Sequence, residues 1–267
     1  MKKPVTLLLL AAVFICSCAQ GPEGKEQPEY GAYFEAFNVE GAFVLYDLNA
    51  DAYVVYNRAR CSQQFIPAST FKILNALIAL ETGVIADENE VIAWDGVDRG
   101  YAPWNQDHDL RTATEHSAIW FYQELARRIG SDRMQHYVDA VGYGNRDISG
   151  EIDSFWLEGG LRISPDEQIE FLRRLYADDL PFSERSMAIV REIITLEETD
   201  EYTLRGKTGW AQRVHPQIGW FVGYVEKDGN VHFFATNVES AAPDERFGSS
   251  KIEITEEILR DLWGLER

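Results

Sequence analysis

Cysteine is almost absent from the body of this chain. Of three cysteines in 267 residues, Cys16 and Cys18 lie in an apolar N-terminal segment and only Cys61 lies beyond it. No intramolecular disulfide can form outside that segment, and Cys61 reads as a small buried residue. Basic charge is also short: 25 Lys and Arg stand against 44 Asp and Glu, a net −19. A surface of that sign repels nucleic acid and anionic membranes, which leaves only a local basic pocket for binding an anion. The five histidines, at 108, 116, 136, 215 and 232, form no H-E-x-x-H or similarly tight ligand spacing, so no metal is expected. His116 reads as packing at a helix start. There is no G-x-S-x-G elbow to support an α/β-hydrolase. Internal repeats are missing, and the longest apolar run, Leu7 to Ile15, is too short to span a membrane.

That run follows Lys2-Lys3 and precedes Cys16-Ser17-Cys18-Ala19, the layout of an export signal. Two cleavages fit it. A signal spanning 1–19 ends on small residues at Ser17 and Ala19. A lipoprotein signal spanning 1–17 would leave Cys18 as a lipid-anchored N-terminus. Either way the chain is expected outside the inner membrane, in the periplasm. Residues 20–29 read as a polar tether.

Apolar and charged residues at 45 % and 26 % are those of an ordinary folded enzyme, and the pattern beyond the tether supports one. Strand-like runs at 41–48 and 52–56 flank the turn Asn49-Ala50-Asp51. Further strands are expected over 204–210, 217–225 and 231–238, with Asp228-Gly229 as a hairpin turn. Helices are expected over 70–81, 118–129, 132–141, 183–196 and 255–265. Another starts at Ser164-Pro165-Asp166-Glu167, a capping box with proline in the first turn. Strands at both ends with helices between them predict an α+β fold. One antiparallel sheet is built from 30–66 and 161–267 and flanked by helices, and a helical region over 67–160 is inserted.

Three short motifs can carry chemistry. In Ser69-Thr70-Phe71-Lys72 the serine and lysine share a helix face, and a buried, neutral lysine can take the proton of a serine nucleophile. Ser117-Ala118-Ile119 offers a second hydroxyl at a helix start. Lys207-Thr208-Gly209 places a cation, a hydroxyl and a bare backbone side by side on a strand, which suits an anionic, peptide-like ligand. Each alone reads as a helix cap or a solvated lysine.

Together and in this order, the motifs resemble those of the class D β-lactamases, the oxacillinase family of serine enzymes. Tyr143-Gly144-Asn145, Phe155-Trp156-Leu157-Glu158-Gly159 and Gly219-Trp220-Phe221-Val222-Gly223 add to the resemblance, which runs from about Phe43 to the C-terminus. It implies that Ser69 is acylated by the β-lactam ring. Lys72 would be N-carboxylated by CO₂ or bicarbonate to serve as general base, with no other cofactor. Trp156 would hold the carbamate, in a pocket lined by Phe71, Ile119 and Leu157. Ser117 would relay a proton to the lactam nitrogen together with Lys207. The backbone N–H groups of Ser69 and Trp210 would form the oxyanion hole, and Thr208 and Gly209 would contact substrate. Tyr143 and Asn145 would shape the site. One departure stands out: where the family supplies an arginine for the substrate carboxylate, Lys251 falls in place, with Arg246 five residues earlier as the alternative. Trp120-Phe121-Tyr122 is bulkier than expected and would narrow the cleft. The alternative to hydrolysis is a sensor or penicillin-binding peptidase that is acylated but turns over poorly. The preferred β-lactam and the oligomeric state are left open.

Overall fold

The computed structural model describes Pro22 and residues 24–263. The export signal and the lipid-anchor cysteine read at the N-terminus therefore lie outside the described residues. The strands are β1 (Lys25–Glu26), β2 (Glu40–Asp47), β3 (Ala52–Tyr56), β4 (Thr195–Glu198), β5 (Tyr202–Ala211), β6 (Gln217–Lys227) and β7 (Asn230–Ser240). The helices are α1 (Gly31–Ala36), α2 (Arg58–Cys61), α3 (Lys72–Glu81), α4 (Leu110–Glu115), α5 (Ile119–Ile129), α6 (Ser131–Val141), α7 (Pro165–Tyr176), α8 (Glu184–Ile193) and α9 (Phe247–Trp263). The strands form one sheet in the order β1-β3-β2-β7-β6-β5-β4. Its central seam joins β2 to β7, antiparallel, Glu40–Asp47 against His232–Glu239.

Strand alternation divides the interior in two. Ala42, Val44, Tyr46, Trp220, Val222, Tyr224, Phe233 and Ala235 face the helical middle of the chain, where they join Leu74, Leu77, Phe121 and Leu172. Their neighbours Phe43, Leu45, Phe221, Phe234 and Val238 point to the other face, against Phe34 of α1 and Ile254 and Ile258 of α9. The sheet is therefore sandwiched between helical layers, as its doubly apolar strands require.

The punctuation read from the sequence is present. Ser164 accepts from Glu167 N–H while the Glu167 carboxylate accepts from Ser164 N–H, with Pro165 in the first turn. Asp228 and Gly229 both take positive φ, 52° and 73°, the pair of left-handed residues that a two-residue hairpin needs. Cys61 is free and buried, and burial pushes its thiol up to about 12.

Four expectations are corrected. The tether read over 20–29 is docked at Lys25–Glu26, which pairs in parallel with Val54–Val55. The helix expected over 183–196 ends at Ile193, because Thr195–Glu198 is drawn into the sheet by pairing with Thr203–Arg205. The last helix begins at Phe247, eight residues before the expected Thr255, because Phe247, Ser250 and Lys251 are buried under the sheet. Trp120, Phe121 and Tyr122 do not narrow a cleft, since all three are buried. The Trp120 indole donates to Trp104 O at 2.7 Å, and Tyr122 hydroxyl bonds Thr114 Oγ1 at 2.6 Å.

Candidate active site

Ser69 lies in a single 3-10 turn, Ala68–Phe71, that runs directly into α3. The turn is held in a conformation that it would not choose. Ala68 sits at φ +49°, the left-handed region, which costs an alanine on the order of 1–3 kcal/mol. Neighbours enforce it: Ala68 N–H donates to Trp156 O at 3.0 Å. Gln168 of α7, fully buried, donates to Thr70 Oγ1 at 2.9 Å, and Thr70 in turn donates to Pro67 O at 2.8 Å. Neither Thr70 nor Gln168 was singled out from the sequence. The available signal was a polar residue on the inward, apolar face of α7.

Lys72, three residues on, opens α3 and is 1 % exposed. Its ammonium donates to Ser117 O at 2.5 Å and Ser117 Oγ at 2.9 Å, and stands over the Tyr122 ring. The motif residues are thus brought together, but the direct partner of Lys72 is Ser117 rather than Ser69. Burial, reinforced by the charge of Lys207, holds the Lys72 amine well below its ordinary range. This is the condition for a neutral, nucleophilic or basic lysine. Ser117 is itself at φ +52°, so both walls of the cleft carry strained backbone.

The third wall is β5. Over 206–211 its outer edge is not covered by β4 but runs beside the Ser69 turn. A Cβ on Gly209 would come within 2.9 Å of Pro67 O and 3.3 Å of Ser69 N, so only glycine permits this approach. Gly206 N–H points out from this edge to Ile194 O, at 2.8 Å. Strand alternation then aims the N–H groups of Thr208 and Trp210 the same way, toward Ser69. Lys207 is 4 % exposed, donates to Thr208 O at 3.2 Å, and is lowered to about 8 by burial and by the charge of Lys251. Lys251 of α9 is also buried and brought to about 8; it donates to Gly248 O and lies 5.1 Å from the centre of the Trp210 ring. Arg246 turns away, donating to Ala36 O and Asp244. Of the two cations considered for the carboxylate, Lys251 is the one beside the β5 edge.

Trp156 is fully buried, stacked on Phe71 at 5.4 Å and 28°. Its indole N–H has no hydrogen-bond partner among the described residues. Leu157 is buried beside it, and Ile119 is half-buried at the first turn of α5. Glu158, the one acid of the Phe155–Gly159 motif, faces solvent and pairs with Arg213 at 3.3 Å. Tyr143 packs its ring on Phe71 and Phe171. Asn145 bonds Gly160 O and the N–H of Arg162, each at 2.9 Å, and a Cβ on Gly144 would overlap Arg162 O. This loop staples 160–163 in place, and Ile163 pairs with Phe65 just before the Ser69 turn. Its contribution is support.

Comparison with known proteins agrees with this geometry. Residues 30–263 match the family model of the penicillin binding protein transpeptidase domain. The chain is 45 % identical to β-lactamase OXA-48 of Klebsiella pneumoniae, over 95 % of this chain and 97 % of that one. It is 40 % identical to the regulatory protein BlaR1 of Bacillus licheniformis, over 88 % of this chain but 39 % of that protein. Among solved structures, a class D β-lactamase from Nostoc superposes with a TM-score of 0.86 at 48 % identity, covering 90 % of this chain and all of that one. The fold is that of the serine β-lactamases and transpeptidases, and the chain belongs to the class D β-lactamases.

Proposed function

We propose that this enzyme hydrolyses the β-lactam amide through an acyl-enzyme on Ser69, with Lys72 acting as its N-carboxylated form. The observation that carries the second half is the Trp156 indole N–H, fully buried and unpartnered on the residue whose carbonyl holds the Ser69 turn. A buried tryptophan N–H ordinarily finds an acceptor. A carbamate on Lys72 would supply one, and the neutral amine that burial favours at Lys72 is the form that attacks the carbon of CO₂, losing a proton as the N–C bond forms. When present, the carbamate provides a general base in the pocket.

The remaining groups have roles of their own. The N–H groups of Ser69 and Trp210 converge on the position of the lactam oxygen and stabilise the charge that grows there when Ser69 Oγ attacks the carbonyl carbon. Ser117 Oγ, 2.9 Å from Lys72 Nζ, passes its proton to the nitrogen as the C–N bond breaks and is reprotonated from the lysines. Lys207, Thr208 and Lys251 hold the ring carboxylate and fix the carbonyl against Ser69. Water then cleaves the Ser69 ester and the serine is released. Export, by a signal of 1–19 or 1–17, is part of the same reading.

Likeness to the regulatory protein supports one rival, a domain that is acylated and stays so. Steady-state hydrolysis of a chromogenic cephalosporin, with and without bicarbonate, separates the two. Turnover that rises with bicarbonate and is lost in Ser69→Ala and Lys72→Ala is expected. A single stoichiometric burst, unmoved by bicarbonate, would establish the sensor instead.

A further inference from the structure

The β5 edge has a direction. Trp210 N–H receives the lactam oxygen, and Thr208, two residues or about 6.6 Å back, receives the carboxylate. The same line continues past Gly206 into a cavity of about 370 Å³, lined by Lys207 and Thr208 at its near end. Thr114 and Glu115 form one wall, and Ile194 to Leu196 form the other, with Arg111 and Glu192 at the far end. In a cephalosporin the substituent at C3 is attached next to the carbon that bears the carboxylate. With the lactam oxygen at Trp210 and the carboxylate at Thr208, it would therefore project along this line.

Two basic and two acidic residues line the cavity, but they are not all paired. Arg111 is satisfied twice over, by Glu88 and Glu192, each at 2.9 Å. Lys207 is committed to the carboxylate. Glu115 has no ion pair or hydrogen bond among those formed by the described residues, and it stands two residues before Ser117. It closes the C-terminal turn of α4, where the helix dipole disfavours negative charge.

We propose that this cavity is the subsite for the ring substituent beside the carboxylate, and that Glu115 gives it a preference for cationic groups. The inference rests on the hydrolytic reading above, and the experiment keeps the two apart. Wild-type enzyme is assayed on benzylpenicillin, whose ring carbon beside the carboxylate-bearing one carries only two uncharged methyl groups. It is then assayed on two cephalosporins with the same acyl side chain, one bearing a pyridiniummethyl and the other an acetoxymethyl group at C3. Failure to turn over all three overturns the hydrolytic reading. The measured quantity is kcat/KM for the cationic cephalosporin divided by that for the neutral one. A solvated ion pair is expected to change this ratio by about two- to fivefold. The ratio should fall by that factor in Glu115→Gln, fall further in Glu115→Lys, and fall in the unmutated enzyme as ionic strength rises. Ratios unchanged in both variants and insensitive to salt would overturn the proposal. Glu115 is exposed, and matching unfolding midpoints will show that the variants are folded.

Discussion

Replacing Trp156 by phenylalanine should separate stability from activity. The phenyl ring can keep the stack on Phe71, now 5.4 Å between centroids, and it deletes the buried N–H that has no partner. An unsatisfied buried donor costs about 1–3 kcal/mol, so its removal is favourable in the unmodified protein. Trimming indole to phenyl leaves a small void and costs a similar amount. The two offset, and the unfolding free energy from urea titration in CO₂-free buffer should stay within about 1 kcal/mol of wild type. Activity should behave differently. A hydrogen bond to a charged acceptor is worth about 1.5–3 kcal/mol, so the carbamate should be weakened by about ten- to a hundredfold. The assay is turnover as a function of bicarbonate, read beside the carbamate carbon resonance of protein equilibrated with ¹³C-bicarbonate. Half-maximal activity at the wild-type bicarbonate concentration would refute the argument. So would a loss of stability beyond about 4 kcal/mol, which would make Trp156 simply a core residue.

Gly209→Ala forces a methyl group to within 2.9 Å of Pro67 O and 3.2 Å of Thr70 Cγ2, so β5 must withdraw from the Ser69 turn. A stability loss of about 1–3 kcal/mol and an acylation rate at least about tenfold lower are expected, the latter from burst kinetics. Lys207 and Lys251 titrate near 8 in the fold and near 10.5 when unfolded. The unfolded chain binds more protons between those values, so unfolding free energy should rise as pH climbs from about 8 to about 10.5. Lys251→Met should flatten that rise and stabilise the protein at pH 7, by denaturant titration at each pH. The same variant should raise KM for carboxylate-bearing substrates by about tenfold. In wild type KM should increase above pH 8, as the ammonium charge is lost.

The motifs were legible because each is a local pattern with a local cause. Ser69 and Lys72 are three residues apart on one turn, and Ser164 and Glu167 cap one another across a single turn. Asp228-Gly229 is a turn whose backbone demands its residues. What escaped reading depends on partners distant in the chain. Thr195–Glu198 continues a helical pattern and becomes strand only because β5 lies alongside it. Gly248-Ser249-Ser250 resembles a loop, yet it is helical because Phe247 and Lys251 are packed against β5 and β6. Trp120-Phe121-Tyr122 shows three large rings but not the directions in which they turn. The same limit applies within the site. The pairing of Lys72 with Ser117, the orphaned Trp156 N–H and the Gln168-to-Thr70 brace all cross between elements far apart in sequence.

The seam between β2 and β7 has a consequence for how the molecule comes into being. Residues 40–47 find their partners only at 232–239, so the hairpin made early in synthesis has no sheet to join until nearly the whole polypeptide exists. Long-range pairing of this kind is slow to form, because ring closure precedes any reward from contacts. The nascent chain is thus kept open by its own topology. Under the export proposed above, strand order alone would give the chain a window of time to thread through a narrow conduit before it folds.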